Sequence, residues 1–63
     1  MNKNIKKMVF DKKDRSVVIN DKYLIDTQCG ALYWYEDTEN NNYDFPQWVF
    51  DVRDDLRDIG IVK

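Results

Sequence analysis

Side chains able to do chemistry are few in this 63-residue chain. Histidine is absent, so the usual acid–base group near neutral pH is missing. Ser16 and Cys29 are its only serine and only cysteine, and no neighbouring pattern supplies either with an activating base. Carboxylates are plentiful, but paired-carboxylate chemistry needs a pocket of roughly a few hundred Å³, and so short a chain offers little room for one. No glycine-rich phosphate loop is present. Residues 37–44 (Asp, Thr, Glu, three Asn, Tyr, Asp) place oxygens at alternate positions, as a calcium loop does. They lack the glycine of its sixth position, and Trp48 stands where its closing glutamate belongs. One cysteine and no histidine exclude a structural zinc site and an internal disulfide. The expectation is a non-enzyme without metal or cofactor.

The chemistry that is left is recognition. Residues 1–15 carry six Lys/Arg against two Asp, whereas residues 36–58 carry eight Asp/Glu against two Arg. On a helix wheel at about 100° per residue, Asp51, Asp54, Asp55 and Asp58 form a single acidic stripe beside the apolar face. Asp51–Asp55 and Asp54–Asp58 are like-charge pairs one turn apart, and the last three oppose the helix dipole. A sequence that accepts this local cost is expected to use the stripe against a basic partner. The plainer account is a solvated face kept soluble by charge. Phe50 falls off the apolar face, as an interface anchor or as a ring packed under the 36–43 loop. Tyr33, Trp34 and Tyr35 alternate along one strand, so both of its faces are aromatic. A single helix covers one face of a sheet, leaving either Trp34 or the Tyr33/Tyr35 pair outside unless the sheet curls.

The elements that must position these residues are readable. Residues 4–11, 16–20, 22–27 and 31–35 have strand character, separated by a polar turn at 11–15, a two-residue turn at Asn20-Asp21 and a turn at 28–30 that contains Gly30. Short connections impose an antiparallel meander. A helix over about 45–59 follows, with Asp44 as N-cap, Gln47 completing a capping box and Pro46 in the first turn. Apolar residues at 45, 48, 49, 52, 56 and 59 share its buried face. Gly60 ends it in a left-handed cap, and Ile61 packs back on Leu56. The fold class is α+β: a four-stranded meander with one C-terminal amphipathic helix on one face, ββββα, in one small domain over residues 1–63.

Size and composition limit the function. A domain this short buries only about 60% of its unfolded surface, which makes a homodimer a natural way to gain stability. The basic start has no long apolar core behind it, and no stretch approaches the ~20 apolar residues of a membrane span. A cytoplasmic protein without a membrane partner is expected, and its residue usage suits an AT-rich genome such as that of a phage or mobile element. The leading reading is a small acidic binding protein, docking on and inhibiting or modulating a larger basic-surfaced host protein, as a nucleic-acid mimic if that protein is a nucleic-acid enzyme. Its partner-binding residues would be Asp51, Asp54, Asp55, Asp58, Phe50, Trp34, Tyr33 and Tyr35. One alternative is nucleic-acid binding by Lys3, Lys6, Lys7, Lys12, Lys13, Arg15 and the aromatic sheet face, against which stands a net charge of −2. The other is a structural subunit that dimerises through the aromatic face.

Overall fold

The structure, a computed structural model, describes residues 2–35 and 44–63. Four short strands form one antiparallel sheet in sequence order: β1 (Met8–Asp11), β2 (Ser16–Ile19), β3 (Tyr23–Asp26) and β4 (Leu32–Trp34). One helix, α1 (Gln47–Asp58), follows. This is the ββββα arrangement expected from the sequence.

Side-chain chemistry explains where the strands stop. The first strand was expected from residue 4, but β1 begins at Met8. The Asn20 side chain takes over the backbone groups that a longer ladder would have paired. Its Oδ1 accepts from the Lys6 and Lys7 N–H groups at 2.7 and 3.0 Å, and its Nδ2 donates to the Asn4 carbonyl at 3.1 Å. Asn20 and Asp21 both hold positive φ, 56° and 53°, and Lys22 N–H closes the turn on the Ile19 carbonyl at 3.0 Å. Asn and Asp tolerate that backbone, as the turn requires.

The inner face of the sheet builds the core. Registry aligns Met8, Ile19, Tyr23 and Trp34 in one row, and Phe10, Val17, Ile25 and Leu32 in the next. Val49, Val52 and Leu56 of α1 are fully buried against this face. Ile59 was expected to continue their stripe, but it is 62% exposed. The helix ends there: Gly60 takes φ 86°, its N–H donates to the Arg57 carbonyl, and the Ile61 N–H donates to the Leu56 carbonyl. That pair of bonds is a Schellman cap. It swings the chain back so that Val62 is buried instead, and Lys63 N–H donates to the Thr27 carbonyl at 2.9 Å.

The start of α1 also differs from expectation. Pro46, not Asp44, is the N-cap residue and, among the described residues, no side chain caps the helix, so the Asp44–Gln47 capping box does not form. A hydrophobic staple does. Phe45, just before the cap, meets Phe50, the fourth helical residue, edge-on at 6.4 Å between ring centres.

Candidate functional site: two charged surfaces and an apolar cleft

Position on α1 decides which of its charges reach outward. Arg53 lies over the Phe50 ring, 5.3 Å from its centre, and extends Nη1 toward the Gly30 carbonyl at 3.5 Å. Arg57 Nε donates to the Lys63 carbonyl at 3.3 Å. Both arginines reach Asp54, through Arg53 Nε at 3.3 Å and Arg57 Nη1 at 3.8 Å. The cations of the helix are therefore drawn toward the β3–β4 turn. Gly30 makes space for them: it holds φ 77°, and a Cβ there would stand 2.5 Å from Arg57 Nη2.

The anions point the other way. Asp51, Asp55 and Asp58 are exposed, and none has an ion pair among the described residues. Asp51 accepts one bond from Gln47 Nε2 at 3.2 Å. Of the four stripe residues, Asp54 alone is neutralised by neighbouring arginines. Along the helix axis, Asp51 to Asp58 spans about 10 Å.

The aromatic strand is now oriented. Trp34 lies on the helix side, stacked on Phe45 at 4.7 Å and near Tyr23 at 5.5 Å. Tyr33 and Tyr35 face the opposite side and are about half exposed. Trp34 thus does not share a surface with the two tyrosines. Phe50 is half-buried, wedged between Phe45 and Arg53, and belongs to the aromatic cluster at the start of the helix. The expected site residues therefore divide into three places: the acidic flank, the outer sheet face and the helix-start cluster. The calcium-like loop at 37–44 lies almost wholly outside the described residues. Among the described residues there is no metal-ligating cluster.

The outer face carries one apolar row straight across the sheet, Val9–Val18–Leu24–Tyr33. Beside it runs Asp11–Ser16–Asp26. Both aspartates hold their own turns: Asp11 Oδ1 accepts from Lys13 and Asp14 N–H, and Asp26 Oδ1 accepts from Gln28 N–H. Lys3, Lys6, Lys7, Lys12, Lys13 and Arg15 are all exposed around the first hairpin. Lys7 meets Asp21 at 3.2 Å.

One feature escaped sequence reasoning. A cleft of about 500 Å³ opens on the inner side at the β1 edge, lined by Met8, Phe10, Val17, Leu56, Gly60 and Ile61. It exists because β1 is an edge strand and α1 stops short of it at Gly60. Phe10 stands at its rim, 51% exposed. The short apolar run Met8-Val9-Phe10 gave no sign of this by itself. The only available clue was the pairing of an apolar edge strand with a helix ending in glycine. No helix among the described residues is long and apolar enough to cross a membrane. Compared with known proteins, the chain matches no family model, no curated protein and no solved structure.

Proposed function

We propose that this protein is a small, non-enzymatic binding protein that docks its acidic helix flank on a basic surface of a larger protein. One observation carries the reading: α1 turns both of its arginines toward the β3–β4 turn and leaves Asp51, Asp55 and Asp58 outward with no ion pair among the described residues. Unpaired carboxylates on a rigid element attract a positive patch and orient its approach. Their span of about 10 Å resembles the axial rise of three nucleotides along one DNA strand, ~3.4 Å each. A phosphate-binding groove on a nucleic-acid enzyme is accordingly the partner surface that fits best, and occupying it would inhibit that enzyme. A cytoplasmic location and a phage or mobile-element origin accord with this reading.

The test exchanges charge for shape. Asp51→Asn, Asp54→Asn, Asp55→Asn and Asp58→Asn together remove the stripe and also relieve its like-charge pairs, so the fold should persist, as circular dichroism would confirm. A protein retained from nuclease-treated host lysate by the native chain should be lost by this variant. Equal retention by both would overturn the proposal.

A second reading, single-stranded nucleic-acid binding, is favoured by the outward Tyr33 and Tyr35 rings. The tyrosines lie on β4 and beyond, however, and the basic hairpin at the opposite edge, with Asp11 and Asp26 on the face between. Retardation of single-stranded DNA or RNA at low salt, lost on Tyr33→Ala with Tyr35→Ala, would establish it.

A further inference from the structure

We infer that the β1 edge and its cleft form a second docking site, which takes an extended acidic peptide segment as a fifth strand. The surface is separate from the acidic helix flank. Backbone geometry supplies the first argument. Asn20 N–H donates to the Lys7 carbonyl across the ladder at 2.8 Å. Alternation along an antiparallel strand then turns the Val9 and Asp11 peptide groups toward β2, and those of Met8 and Phe10 outward. The edge therefore presents donors and acceptors to an incoming strand, the requirement for strand addition.

The cleft supplies the second argument. Met8 and Phe10, whose peptide groups face outward, also line the cleft with their side chains. A strand paired to β1 would place the side chains opposite Met8 and Phe10 on that same face. Alternate apolar side chains of the guest would then enter a space walled by Leu56 and Ile61. Main-chain bonds would supply affinity and the cleft would select side chains, the division of labour of strand-addition sites.

Charge decides the occupant. Lys6 and Lys7 precede β1, Lys12 and Lys13 follow it, and all four are exposed. Lysines protect an edge when they sit on it, but the strand itself reads Met-Val-Phe-Asp and has none. A second copy of this hairpin would bring the same excess of cations against the first. A guest with acidic residues on both sides of an alternating apolar stretch would complement both ends.

The probe is a capped, fluorescent peptide of alternating valine and threonine with glutamate pairs at both ends. A control peptide carries lysine pairs instead. The acidic peptide should bind saturably, more weakly as salt rises, and the lysine peptide at least about tenfold more weakly at low salt. Bound peptide should shift the amides of Met8 and Phe10 and the methyl groups of Leu56 and Ile61. Phe10→Glu, at the exposed rim, should abolish binding. Lys6→Glu with Lys12→Glu and Lys13→Glu should reverse the preference for charge, which decides the matter should Phe10→Glu unfold the chain. Asp51→Asn, Asp54→Asn, Asp55→Asn and Asp58→Asn together should not weaken binding of the acidic peptide. Equal binding of both peptides, shifts confined to Tyr33 and Tyr35, or self-association that protects the Met8 and Phe10 amides would each overturn the inference.

Discussion

The first hairpin and the helix handle opposite charges in the same way. In each, charges of the minority sign are engaged locally, Asp14 excepted, and most of the majority charge is left outside. Around the hairpin, Asp11 accepts two N–H bonds of its own turn and Asp21 pairs with Lys7, while Lys6, Lys12 and Lys13 extend into solvent. On α1, Arg53 and Arg57 are drawn onto Asp54, the Gly30 and Lys63 carbonyls and the Phe50 ring, while Asp51, Asp55 and Asp58 stay outward. A contrast visible in composition is thereby sharpened by folding. Two surfaces of opposite sign result.

The contrast can be broken most severely from below. Leu56 is fully buried, walls the cleft beside β1, and lends its carbonyl to the helix cap. Leu56→Ala should cost about 2–5 kcal/mol in urea denaturation, a large share of the ~3–9 kcal/mol expected for a domain of this length. Phe10→Ala, at the exposed rim of the same cleft, should cost under about 1 kcal/mol.

Cutting the hairpin's anchor is the next step. Asn20→Ala removes three hydrogen bonds to residues 4–7 and puts an alanine at φ 56°. A loss of about 2–3 kcal/mol is expected, together with fast hydrogen exchange at the Lys6 and Lys7 amides. Asn20→Gly keeps the backbone conformation, so it separates the two causes: the same exchange pattern should appear at a smaller cost in stability.

Gly30→Ala tests the place where the arginines are held. It combines a positive φ with a Cβ that must displace Arg57 Nη2, and about 1–2 kcal/mol should be lost in thermal melting.

Two smaller changes sharpen the picture. The Ser16 hydroxyl is buried on the outer face with no partner among the described residues. Ser16→Ala should therefore leave stability unchanged or raise it by about 1 kcal/mol in chemical denaturation. Asp54→Asn removes two exposed ion pairs, each worth under about 1 kcal/mol, and its effect should vanish in high salt.

Much of this architecture was legible because local rules sufficed. The Asn20-Asp21 turn needs side chains that tolerate positive φ, and Gly60 needs none at all, so residue type alone marked both positions. Val49, Val52 and Leu56 repeat at helical spacing, and they are the buried helical residues. Other features depended on competition between neighbouring groups that spacing alone does not rank. Ile59 fits the apolar period, yet Val62 takes the buried place once the cap reverses the chain. Asp44 and Gln47 have capping-box spacing, yet the Phe45–Phe50 staple sets the entry to the helix.

The candidate sites divide along the same line. Sequence by itself determined that the chain lacks histidine and a cysteine pair, that its charge is segregated, and that four strands precede one amphipathic helix. It also determined the acidic stripe, because four aspartates on one helix share a face by spacing alone. Only the tertiary structure decided that Trp34 packs on Phe45 while Tyr33 and Tyr35 face outward, since strand alternation offers both faces equally until a helix covers one. Asp54 is neutralised by Arg53 and Arg57 of its own helix, and only the tertiary structure turned those arginines toward Gly30 and Lys63. The apolar cleft beside β1 likewise belongs to no single segment. It is the gap between a strand at the edge of the sheet and a helix whose glycine cap ends it too soon to cover that edge.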